Sequence, residues 1–70
     1  MNNREFWVAR DGDGDLYLYD LHPQLDKKSE SFYSRGSFWA LPQEMFPSLT
    51  FENSPQKVFN DNLGEIWIRI

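Results

Sequence analysis

Cysteine is absent from all 70 residues of the chain. That excludes disulfide bracing, thiolate nucleophiles and cysteine-based zinc sites together. Long apolar runs are also missing. None exceeds four residues, as in Phe6–Ala9 and Phe38–Leu41, where a membrane-spanning helix needs about 20. Nothing after Met1-Asn2-Asn3-Arg4-Glu5 forms the apolar core of a signal peptide, so the chain reads as soluble and cytoplasmic. Positive charge is scarce: 7 Lys+Arg stand against 11 Asp+Glu, for a net charge of −4. A phosphate-backbone binder presents a basic face, so nucleic acid is an unlikely partner on composition.

Rings are what the chain has in quantity. Six Phe, three Trp and three Tyr make 17% of it aromatic, and each large ring buries much area. That matters because so short a chain buries only about 60% of the surface its unfolded form exposes. Residues 1–70 therefore read as a single small domain whose packing rests on aromatics.

Alternation dominates the apolar pattern. Glu5-Phe6-Trp7-Val8-Ala9-Arg10 and Leu16-Tyr17-Leu18-Tyr19-Asp20-Leu21 read as strands around Asp11-Gly12-Asp13-Gly14-Asp15. Asp-Gly favours a type I′ turn. Placing Asp13-Gly14 at its centre pairs Ala9 with Leu18 and Val8 with Tyr19. One face then holds Trp7, Ala9, Leu16 and Leu18, the other Phe6, Val8, Arg10, Tyr17, Tyr19 and Leu21. His22-Pro23 ends the second strand, and polar Gln24–Ser31 reads as a mobile loop. Phe32-Tyr33 and Ser37–Leu41 form one bent strand or a hairpin around Gly36. Pro42–Phe46 is the one helical candidate, with Pro at the first position, and Pro47 stops it after a turn. Ser48–Glu52 alternates again, Gln56–Phe59 suits a short edge strand, and Glu65–Ile70 is the clearest strand. There Ile66, Ile68 and Ile70 face the core and Trp67 the opposite side. The fold expected is mainly β, a bent antiparallel sheet or barrel-like roll of about five strands with one helical turn. The alternative is an α+β two-layer arrangement with a longer helix around residues 42–48.

Trp7-Val8-Ala9-Arg10-Asp11, Asp13-Gly14, Leu16–Tyr19, Leu41-Pro42 and Met45–Phe51 together resemble short uncharacterised proteins from phage and prophage regions of Bacteroides-like gut bacteria. The resemblance covers roughly residues 6–51. It implies a small accessory protein inside a bacterial cell, and it carries no activity to any residue.

The chemical inventory is thin. Asp11, Asp13 and Asp15 have the first spacing of a calcium loop, but Leu16 stands where that loop needs glycine and His22 where it needs glutamate. His22 with Asp20 and Asp26 is a poor zinc set, and no serine or cysteine nucleophile lies beside it in sequence. No catalytic, cofactor-binding or metal-ligating residue is nominated, and the chain is read as not an enzyme. The rings carry the functional lead. One sheet cannot cover both apolar faces of every strand, and open aromatic surface marks interaction sites. The expected function is a non-catalytic protein–protein interaction or accessory module, possibly phage-derived, with Tyr17, Tyr19 and Trp67 as the contact surface. Its partner is another protein or a second copy in a homodimer. A nucleic-acid-associated prophage factor is one alternative, if Arg4, Arg10, Arg35 and Arg69 converge. A small enzyme or ligand carrier is another, if a pocket forms beside paired carboxylates or His22.

Overall fold

A computed structural model of the chain describes residues 5–60 and 66–68, with the backbone alone at 59, 60, 66 and 67. The alternating runs become strands: β1 (Phe6–Arg10), β2 (Leu16–Tyr19), β3 (Gln24–Asp26), β4 (Ser31–Tyr33), β5 (Phe38–Leu41), β6 (Gln56–Asn60) and β7 (Ile66–Ile68). Five form an antiparallel sheet in the order β5-β2-β1-β6-β7, and β3-β4 is a separate two-stranded hairpin. The architecture is mainly β and does not close into a barrel. Pro42–Phe46 makes one hydrogen-bonded turn, Met45 N to Pro42 O at 3.1 Å, and no helix forms among the described residues.

The first hairpin departs from the expected register. Val8 pairs with Leu18, Trp7 with Tyr19 and Arg10 with Leu16, one residue away from the Asp13-Gly14-centred frame. The loop explains the slip. Asp11 N bonds Asp15 O and Gly14 N bonds Asp11 O, so Gly12 and Asp13, not Asp13 and Gly14, are the central turn residues. Gly14 follows them at φ 99°, and neither central residue has positive φ. This is the three-residue hairpin with a positive-φ glycine after the turn, not a type I′ turn. Because side chains alternate with period two, the slip regroups both faces.

One face carries Val8 and Leu16, both buried, with Leu18, Leu41, Val58 and Ile68 around them. Leu49 covers it, assisted by Met45 and Phe46. The other face carries Trp7, Ala9, Tyr17 and Tyr19, covered by Phe32 of β4 and by Phe51. Ser48–Glu52 therefore alternates without being a strand: Leu49 plugs one face while Phe51 reaches the other and meets the Phe32 ring at 5.8 Å. Each such large apolar side chain stabilises by roughly 1.5–3 kcal/mol when fully buried.

Three further expectations are corrected. Gln24–Ser31 is not a loop: its ends form β3 and β4, and the hairpin is tied to the sheet by Gly12 N donating to Glu30 O at 2.7 Å. Phe32-Tyr33 and Phe38–Leu41 belong to different sheets. Gln56–Asn60 is interior, hydrogen-bonded to both β1 and β7, so among the described residues the sheet's edges are β5 and β7. Ile68 packs on the core as expected; the side chains of Ile66 and Trp67, and all of Ile70, lie outside the description.

Arg10 organises the covering loop. Its Nε donates to Leu49 O at 2.6 Å, Nη1 to Gly14 O and Gln43 O, and Nη2 to Met45 O and Phe46 O. Four carbonyls of the covering loop, with Gly14 O of the hairpin turn, thus find a donor in one guanidinium. The Arg10 backbone N–H bonds Ser54 Oγ at 2.9 Å, which continues the β1–β6 ladder where a backbone acceptor would otherwise stand.

Candidate functional site

The sequence-nominated residues stand on different strands. Tyr17 and Tyr19 are on β2 and Trp67 on β7, with β1 and β6 between them. Three strand spacings separate the two strands, roughly 14 Å. Trp67 pairs with Phe59 across β6–β7. Tyr19 is only 2% exposed, and its hydroxyl reaches Phe32 O at 3.4 Å. It is a floor, not a contact surface.

What the structure brings together is a ring cluster beside the β5 edge. The Phe38 ring lies 5.9 Å from Tyr17 and 6.2 Å from Tyr19, and those two rings are 6.4 Å apart. Facing them across a cleft are Phe32 and Tyr33 of β4. The cleft, of about 300 Å³, is lined by these five rings with Asp11, Ser31 and Ser34. Its lining holds one carboxylate and no cationic group. Asp11 Oδ1 accepts from Phe32 N at 3.0 Å. Burial raises the Asp11 pKa, the Phe32 N–H opposes that, and the neighbouring Asp13 and Asp15 carboxylates raise it further. Burial, then the Asp11 carboxylate and Tyr17, pushes the Tyr19 phenol up to about 12. Both shifts come chiefly from desolvation, with neighbouring negative charge the smaller cause.

Among the described side chains, the large open rings are not Tyr17 or Tyr19. Phe38 is 58% exposed, Trp39 47% and Tyr33 57%. Phe38 and Trp39 are on β5, which among the described residues pairs only with β2. Asp20 N donates to Ser37 O, and hydrogen-bonded pairs alternate along an antiparallel ladder. Trp39 and Leu41 therefore turn their backbone groups toward β2, while Phe38 and Ala40 turn theirs outward. Edge strands are commonly guarded by charge or proline; Phe38-Trp39-Ala40-Leu41 has neither. Acids bracket it. Asp20 Oδ1 accepts from Ser37 N at one end, and Asp15, held by Gln43, stands near the other. The signal available in the sequence was this unguarded tetrapeptide itself, apolar at every position.

The remaining candidates disperse. Asp13 Oδ1 accepts from Asp15 N and Asp15 Oδ1 from Gln43; among the described residues no three metal-ligating side chains converge. His22 packs edge-on against Trp7 at 4.6 Å and borders a second cleft with Tyr33 and Arg35. Arg10 is committed to backbone carbonyls, and Arg4 and Arg69 lie outside the described residues, so no basic patch assembles among those described. No described helix is long and apolar enough to cross a membrane. No family model, curated protein or solved structure matches the chain.

Proposed function

We propose that the protein is a non-catalytic binding module that takes an extended, basic segment of another protein as an added strand along β5. The observation carrying this reading is an unguarded edge whose outward N–H and C=O groups, at Phe38 and Ala40, lie between exposed rings. Strand addition gains affinity from main-chain hydrogen bonds and specificity from pockets beside alternate side chains; the ring-lined cleft is such a pocket. Charge selects the partner. A chain of net −4, with Asp11, Asp15 and Asp20 around this edge, repels a second copy of itself and attracts a basic segment.

Calorimetry with a heptapeptide of alternating arginine and valine tests the reading. Ala40→Pro removes an outward N–H and no ladder bond, a placement proline tolerates at edges. The wild-type chain should bind, and Ala40→Pro should bind about tenfold more weakly, ~1.4 kcal/mol, while staying folded. Equal binding by both chains contradicts the proposal. So does a wild-type dimer, seen by light scattering, that Ala40→Pro dissociates, since the edge would then belong to a second copy.

A further inference from the structure

A strand added to β5 has its own geometry, and the cleft fits one kind of side chain on it. Phe38 and Ala40 pair with Tyr19 and Tyr17, so all four share the sheet face that the cleft opens on. Partner residues opposite Phe38 or Ala40 point to that same face. Phe38 fills its position with a ring; Ala40 has a methyl and leaves the space over Tyr17 open. The rings on β2 lie two strand spacings, roughly 10 Å, from the added strand. A short side chain does not cross that gap.

We propose that the cleft receives the guanidinium of an arginine of the partner segment, set against the ring cluster of Tyr17 and Phe38 and paired with the Asp11 carboxylate. This assignment rests on the docking of a strand at β5 for the arginine's position, though not for the cleft's affinity. The lining supplies what a planar cation requires. Ring faces attract cations within about 6 Å of their centroids, and Tyr17, Tyr19 and Phe38 form one contiguous ring cluster in the cleft lining. Asp11 gives Oδ1 to Phe32 N, and its Oδ2 takes no hydrogen bond from the described residues. No lysine, arginine or histidine of the lining competes for it. A volume of about 300 Å³ is at the lower end of small-ligand pockets, about 300–1,000 Å³, sufficient for one side-chain head with its stem. Arginine fits better than lysine because a planar fork both stacks and pairs with a carboxylate, whereas an ammonium is a compact, strongly hydrated charge.

The probe is N-acetyl-arginine-N-methylamide, with the citrulline analogue as its uncharged isostere, titrated into the full chain by NMR. The readouts are the Phe32 amide and the Tyr17 and Phe38 ring signals. The arginine probe should shift all three saturably, and citrulline should bind about tenfold more weakly or not at all. Asp11→Asn keeps an Oδ1 acceptor for Phe32 N, so the folded fingerprint should persist while arginine affinity falls about tenfold. Equal binding of arginine and citrulline overturns the proposal. So do unaltered arginine binding by folded Asp11→Asn, shifts confined to other residues, and no shift up to the solubility limit. The blocked amino acid needs no strand, so its binding tests the cleft alone. A threonine–valine peptide without arginine, titrated separately, tests the β5 edge alone.

Discussion

Replacing Arg10 by methionine keeps most of the apolar stem and removes the guanidinium donors to the covering loop. The guanidinium donates to the carbonyls of Leu49, Gly14, Gln43, Met45 and Phe46 at 2.6–3.2 Å. A hydrogen bond to a charged group contributes about 1.5–3 kcal/mol net. Full additivity is excluded, because the Gln43 bond is exposed and its carbonyl rehydrates when the donor goes. The Leu49 bond is part-buried, and losing it loosens the residue that plugs one face of the sheet. The expected cost is about 3–5 kcal/mol, against a total of roughly 4–10 kcal/mol for a domain of this length. Arg10→Lys should recover less than half of the loss, since one ammonium cannot span five carbonyls. Urea unfolding followed by tryptophan fluorescence measures both variants. A cost below about 1 kcal/mol for Arg10→Met would refute the idea that this side chain holds the loop.

Three other outcomes follow from the same packing. Gly14→Val places a β-branched residue at φ 99° and should lower stability by about 1–2 kcal/mol, read from the melting transition. Leu49→Ala empties the plug of the Val8–Leu16 cluster and should cost about 2–5 kcal/mol in denaturant unfolding. The Tyr19 phenol, raised from 10.0 to about 12, is favoured in its neutral form by the fold. Its contribution is complete below pH 10 and disappears as pH rises through 12, a loss of roughly 3 kcal/mol. Tyr19→Phe should abolish that part of the alkaline destabilisation, and identical pH profiles for both chains would count against it.

Much of the sheet was legible because alternation of large apolar residues is a direct readout of strand geometry. The first two strands, Phe38–Leu41 and Ile66–Ile68 fall inside runs read that way. The hairpin register was not legible, because Asp-Gly occurs twice in Asp11–Gly14 and each copy supports a different turn. β3 has almost no strand signal: Gln24-Leu25-Asp26 is polar and exposed. It exists because Pro23 is buried behind it and because β4 is pinned by Asp11 and Gly12. Ser48–Glu52 alternates for a reason other than pairing, since one segment serves both faces from the end of the sheet. Arg10 reads as one polar residue at a strand end; its acceptors are backbone carbonyls, which leave no mark in a sequence. Exposed rings occur at Phe38, Trp39 and Tyr33, and of the nominated residues Tyr19 is buried, Tyr17 lines the cleft and the Trp67 side chain lies outside the described residues. Tyr19 lies under β4, and the exposed rings of Phe38 and Trp39 sit on β5, one of the two edge strands among the described residues.

Amide hydrogen exchange along β5 tests the central claim, that this edge is open to receive a strand, most directly. In the isolated chain Trp39 and Leu41 should be protected by β2, while the Phe38 and Ala40 amides exchange about a hundredfold faster or more. A saturating arginine–valine heptapeptide should slow Phe38 and Ala40 by about tenfold or more and leave Trp39 and Leu41 little changed. Uniform protection of all four amides in the isolated chain would contradict the account, as would a bound peptide that leaves Phe38 and Ala40 as they were.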